Sequence, residues 1–136
     1  MESSSEMTHE ENFFAVLPKC VLLVEDELLI RFYLADELRA AGYHVVEAFN
    51  ADEALVLLAS MAPDLVISDV RMPGSINGLG LLAIVREKFG TLPMIITSGH
   101  LGESQAISAG ASKFIAKPFL AEAMIEAMRA LLAEPD

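Results

Sequence analysis

Asp64-Leu65-Val66-Ile67-Ser68-Asp69, running on into Val70-Arg71-Met72-Pro73-Gly74, decides how the rest of the chain is read. The apolar run Leu65-Val66-Ile67 predicts a strand buried on both faces. It ends on a carboxylate, Asp69, and Pro73 and Gly74 then turn the chain into a loop. Open α/β sheets bind ligands beyond the carboxyl ends of their strands, which is where Asp69 falls. An aspartate that closes a strand also suits the turn that follows, so alone it decides little. Three other strand ends carry polar groups, and together they change the reading.

Upstream, Val21 to Val24 is a second apolar run and ends at Glu25-Asp26-Glu27. Ile30, Leu34, Leu38 and Ala41 follow at helical spacing, and Gly42 suits a helix stop. Glu27 fits a helix N-terminus, where the dipole favours a carboxylate. His44 to Ala48 is a strand of mixed polarity, suited to a sheet edge. Asn50 and Glu53 form a capping pattern for a helix carrying Ala54, Leu57 and Leu58, and Pro63 lies beyond its end.

Downstream, Asn77 caps an expected helix from Leu79 to Phe89, which Gly90 closes. A fourth strand is expected over Leu92 to Ile96, ending at Thr97-Ser98-Gly99. A weak helix, Glu103 to Ala109, has few large apolar groups and stops at Gly110. Lys113 to Ala116 is the fifth strand and ends at Lys117-Pro118. Pro118 suits the first turn of a last helix, with Met124, Met128 and Leu131 on one face. Five alternations of strand and helix define an α/β fold, a doubly wound parallel sheet with helices on both faces.

The composition sets bounds. A chain of 136 residues with 54% hydrophobic content holds one domain and a real core. Nine Lys and Arg against 20 Asp and Glu give a net charge of -11, which argues against nucleic-acid binding. The single Cys20 excludes an internal disulfide and is expected as a small core residue. No apolar run reaches membrane-spanning length, and the N-terminus lacks the features of a signal peptide. A cytoplasmic setting with no membrane partner is the expectation. Residues 1–18 read as an N-terminal extension. Thr8 and Glu11 fit a capping box ahead of Phe13 and Phe14, so a short helix to about Leu17 and a mobile tail both stay open.

In a parallel sheet all strand carboxyl ends share one edge. That edge gathers Glu25, Asp26, Asp69, Thr97 and Lys117. Converging carboxylates repel unless a cation joins them. Oxygen ligands of this kind suit Mg²⁺. A Lys and a hydroxyl on the other side of Asp69 suit an anion, and the combination is a phosphoryl site. Aspartate is a phosphoryl-accepting nucleophile.

Four motifs in order carry a family resemblance: Val21-Leu22-Leu23-Val24-Glu25-Asp26-Glu27, Asp64 to Pro73, Ile95-Ile96-Thr97-Ser98-Gly99 and Lys117-Pro118-Phe119. From about Lys19 to Leu132 the chain resembles the receiver domains of two-component response regulators. The resemblance implies a flavodoxin-like receiver fold over residues 19–134, with five strands in the order 2-1-3-4-5 and five helices. It implies that Asp69 is the phosphoacceptor. Glu25, Asp26, Asp69 and the Arg71 backbone carbonyl then hold Mg²⁺. Thr97, Lys117 and the Ser98 backbone bind the phosphoryl group, and Thr97 and Phe114 form the switch. The implied partners are a histidine kinase or histidine phosphotransfer protein, and a downstream protein met by the face of helix 4, strand 5 and helix 5.

The chain also departs from the family pattern. Arg71 stands where many relatives have Asn, Phe114 lacks the hydroxyl of the commoner Tyr, and the loop Gly74-Ser75-Ile76-Asn77 is about a residue longer than in chemotaxis-type receivers. The weak helix lacks the charged pattern of receivers that dimerise to bind DNA. The chain ends at Asp136, which makes a stand-alone receiver, not an enzyme beyond its own phosphorylation and dephosphorylation, the expectation. A Mg²⁺-dependent aspartyl-phosphate phosphatase needs a second Asp two residues after the nucleophile, where Arg71 stands. A nucleotide or flavin module needs glycine, not Glu25-Asp26-Glu27, after the first strand. A degenerate receiver that only binds partners would not fill every site position. His9, His44 and His100 are scattered and read as incidental.

Overall fold

The computed structural model of the protein describes residues 17–133. Strands and helices alternate along it. They are β1 (Cys20–Val24), α1 (Leu28–Ala40), β2 (His44–Ala48), α2 (Ala51–Leu58), β3 (Leu65–Asp69), α3 (Gly78–Phe89), β4 (Met94–Ser98), α4 (Glu103–Ser108), β5 (Lys113–Ala116) and α5 (Ala121–Leu132). The stretch around Thr8 and Glu11 lies outside the described residues.

All strand pairs are parallel, in the order β2-β1-β3-β4-β5. This is the implied order, and the mixed-polarity strand β2 lies at an edge. Successive strand residues point to opposite faces, so each strand feeds two cores. Leu22, Val24, Val66, Met94 and Ile96 pack with Ala54 and Leu58 of α2, Leu81, Leu82 and Val85 of α3, and Ala106 of α4. Val21, Leu23, Leu65, Ile67 and Ile95 pack with Leu34 and Leu38 of α1 and Met124 and Met128 of α5. Both faces of β1, β3 and β4 are therefore covered, which explains their unbroken apolar runs. The Met side chains are core filler, as read from the sequence.

The helix ends obey their local chemistry. The Asn50 side chain accepts from the Glu53 amide at 2.8 Å, and Glu53 reaches back to the Phe49 amide at 2.8 Å. Asn77 accepts from the Gly80 amide at 3.0 Å. Gly90 closes α3 at φ 58°, and Gly110 follows α4 at φ 110°.

Some expectations shift. β4 starts at Met94 and takes in Thr97 and Ser98, instead of running from Leu92 to Ile96. Pro93 has no amide to give a ladder, and the Leu92 amide is used in the turn, on the Phe89 carbonyl. Pro118 does not open the last helix. It follows a cis peptide after Lys117, and α5 begins at Ala121 with Leu120 as its N-cap. Cys20 is half-buried at the start of β1, not a core residue. Burial first, and then the Asp64 charge, raise its thiol pKa.

Candidate functional site

β3 delivers Asp69 to the carboxyl edge of the sheet, in register with Thr97 on β4. The next residue out from β1 is Glu25, and Lys117 follows β5. Parallel pairing thus brings residues 92 positions apart to one point. Lys117 Nζ donates to Glu25 Oε1 at 2.7 Å and to Asp69 Oδ2 at 2.9 Å. The Val70 amide donates to Asp69 Oδ1 at 2.8 Å, so one oxygen faces the backbone and the other faces the cation. Glu25 Oε2 accepts from the Glu27 amide at 3.1 Å, and the Glu25 carbonyl accepts from Arg31 at 2.9 Å. Glu27 caps α1 with its backbone alone.

Glu25 and Asp69 are buried, as are Thr97 and Ser98, and Asp26 is half-buried. Glu25, Asp26 and Asp69 each present a carboxylate oxygen, all within 4.8 Å of one another. Three hard oxygens at that spacing fit a divalent cation bound by carboxylates. An open cleft beside them is lined by Asp26, Glu27, Asp69, Arg71, Gly99, His100 and Lys117.

The electrostatics follow from this crowding. Burial raises the Glu25 carboxyl above its ordinary value, against the lowering pull of Lys117 and the Glu27 amide. Burial pulls Lys117 down, but its hydrogen bonds to Glu25 and Asp69, with their charges, win and hold it above the ordinary lysine value. Both partners of one ion pair thus shift upward, which favours the charge on Lys117 and disfavours the charge on Glu25. Lys117 gains two anions, whereas Glu25 loses its water and shares one cation with Asp69.

The sequence-predicted residues Glu25, Asp26, Asp69 and Lys117 come together, and Thr97 pairs with Asp69 in the sheet. Arg71 is exposed and lines the cleft. Ser98 uses its hydroxyl to accept from the His100 and Leu101 amides at 3.0 and 2.9 Å, which holds the loop before α4. Phe114, half-buried on β5 beside Ile96, packs against the core that contains Ala106. His100 is exposed at the cleft edge, and His44 is exposed at the start of β2.

The direct Glu25–Lys117 bond was not legible in the sequence. Neither was Asp52, whose carboxylate holds Ser75 in the loop after β3. No periodicity signals either pairing.

The family described as response regulator receiver domain matches residues 21–129. The response regulator protein FleR of Pseudomonas aeruginosa is 38% identical over 109 residues, 78% of this chain and 23% of its own. The DNA-binding transcriptional regulator NtrC of Salmonella typhimurium is 39% identical over 102 residues, 73% of this chain and 22% of its own. Among solved structures, the receiver domain of NtrX from Brucella abortus is similar with a TM-score of 0.76 at 38% identity, over 84% of this chain and 99% of that one. The chemotaxis response regulator CheY4 of Vibrio cholerae matches with a TM-score of 0.77 at 28% identity, over 85% and 99%. The chain belongs to the response regulator receiver domain family. It spans about a fifth of the length of the curated relatives it matches.

Proposed function

We propose that this receiver takes a phosphoryl group onto Asp69 from a phosphohistidine on a kinase or phosphotransfer protein in the cytoplasm. The observation that carries the reading is the bridge at Lys117, whose Nζ joins Asp69 Oδ2 and Glu25 Oε1 inside an acidic cluster. An Asp69 oxygen attacks phosphorus, the donor P–N bond breaks, and its electron pair stays on the imidazole. Lys117 neutralises charge on the transferred oxygens. The Thr97 hydroxyl and the Ser98 amide are the donors assigned to that same group.

Glu25, Asp26, Asp69 and the Arg71 carbonyl are the groups that would hold Mg²⁺, which supplies further charge neutralisation when bound. The chain is modified by this reaction rather than turned over as an enzyme. Residues 19–134 form the receiver in this reading, and residues 1–18 an extension. A protein partner then meets α4, β5 and α5.

Incubation with Mg²⁺ and acetyl phosphate tests the assignment. One base-labile phosphoryl group should be added, and Asp69→Asn should abolish it. Undiminished labelling of that variant overturns the proposal.

A further inference from the structure

The loop from Val70 to Asn77 carries Arg71, and it is fastened at two points. At its base the Val70 amide donates to the Thr97 carbonyl at 3.1 Å, and the Gly78 amide to the Val70 carbonyl at 2.9 Å. A Cβ on Gly78 would collide with the Asp69 carbonyl, so the base closes only around glycine. At its tip both donors of Ser75 meet one carboxylate. Ser75 Oγ donates to Asp52 Oδ1 at 2.6 Å, and the Ser75 amide donates to Asp52 Oδ2 at 3.2 Å. Gly74, at φ 116°, lies against the same carboxylate, where a Cβ would come within 2.8 Å of Asp52 Oδ2.

Asp52 is a firm mount. It stands in the first turn of α2, where the helix dipole favours a carboxylate. Asn50 and Glu53 cap that turn, and Ala51, Ala54 and Leu58 bury the helix in the core. The two bonds from Ser75 hold the Asp52 carboxyl below its ordinary value, so it is ionised at neutral pH. Asp52 is not one of the clustered carboxylates at the sheet edge.

We infer that Asp52 is a positioning residue of the metal site: by gripping Ser75 it fixes the β3–α3 loop, and so the Arg71 carbonyl. The inference rests on the metal reading of the phosphoacceptor site given above. Without the latch the loop stays closed at its base but swings at its tip, and the carbonyl ligand must be ordered when the cation binds. That ordering weakens binding.

Two measurements on the full chain test it: amide exchange without metal, and Mg²⁺ affinity by calorimetry. In Asp52→Ala the Ser75 amide should exchange about tenfold faster, because its acceptor is gone. Mg²⁺ should bind about fivefold more weakly in Asp52→Ala and in Ser75→Ala, the loss expected for a solvent-accessible hydrogen-bonded latch. The double variant should be no weaker than either single one, since both cut the same connection. Glu53→Ala, which loosens the cap of α2 but spares the latch, should bind Mg²⁺ as the parent does. Parent-like affinity in both latch variants overturns the inference, even if the loop amides exchange faster. Weakened binding in Glu53→Ala of equal size also overturns it, because the effect would then be loss of α2. A parent protein that does not bind Mg²⁺ at all overturns the metal reading itself.

Discussion

Lys117 is the residue on which the site balances. Its ammonium lies between two buried carboxylates, at 2.7 and 2.9 Å. Removing it leaves both anions without their cation, which is costlier than the pair is stabilising. Lys117→Met should therefore lower the stability of the metal-free domain by about 1–3 kcal/mol, read by urea denaturation at neutral pH. The pH dependence has a definite sign. Its folded pKa stands above the ordinary 10.5. Its contribution is complete below that value and fades as pH rises through the folded pKa. The stability gap between parent and Lys117→Met should close in that alkaline window. A gap that stays constant there would show that the ammonium charge is not what holds the site. Glu25 acts in the opposite sense. Its carboxyl is raised above 4.5, so the folded state binds its proton more tightly than the unfolded one. Its ionisation therefore costs stability as pH climbs from 4.5 through the folded value.

At the scale of elements, α4 stands apart. It has six residues, and only Ala106 is buried. Polar bonds hold its two ends. The Ser98 hydroxyl fastens the loop ahead of it, next to Thr97. Arg86 of α3 fastens the turn behind it, donating to the carbonyls of Gly110 at 2.7 Å, Leu92 at 2.7 Å and Gly90 at 3.0 Å, and to Ser112 Oγ at 3.3 Å. Arg86→Met strips these oxygens of a shared donor and should cost about 2 kcal/mol. Amide exchange should rise most between Gly110 and Lys113; a uniform rise across β1 and α1 would mean general destabilisation instead. A helix held this way is the cheapest element to shift. A phosphoryl mimic on Asp69 should therefore change exchange mainly between Thr97 and Phe119, and Thr97→Ala should erase the change. Changes centred on Ile30 to Leu38 would move the output face to α1. The sequence made α4 legible as weak, because its lack of large apolar residues is local information. It gave no hint of Arg86, whose partners on β5's approach lie more than 20 positions away.

The whole molecule was legible for a related reason. Strand period, helix period and glycine stops are local, and five repeats of them leave one sensible architecture. Once the sheet is parallel, every polar strand end must meet at one edge, so Glu25, Asp26, Asp69, Thr97 and Lys117 could be placed without knowing a single contact. Contacts set by long side chains, such as Lys117 to Glu25, needed the structure. That gathered edge also sets a cost for the entire domain. Glu25, Asp26 and Asp69 hold oxygens within 4.8 Å of one another, in a chain that already carries a net charge of -11. Lys117 offsets Glu25 and Asp69 directly, whereas Asp26, which lines the same cleft, makes no ion pair among the described residues. Like charges destabilise the compact state, and a cation bound only by the folded form restores it. Asp26→Asn keeps the shape but removes one charge. It should raise the melting temperature in a chelator, by an amount corresponding to about 0.5–1 kcal/mol. Saturating Mg²⁺ should stabilise the parent by about 2.7 kcal/mol at a hundredfold excess over its dissociation constant, and Asp26→Asn by much less. The two melting curves should therefore exchange order as Mg²⁺ is added. Parallel rises in both proteins would show that Asp26 does not hold the metal, and a variant that melts lower in chelator would show that its charge is not a strain on the metal-free fold.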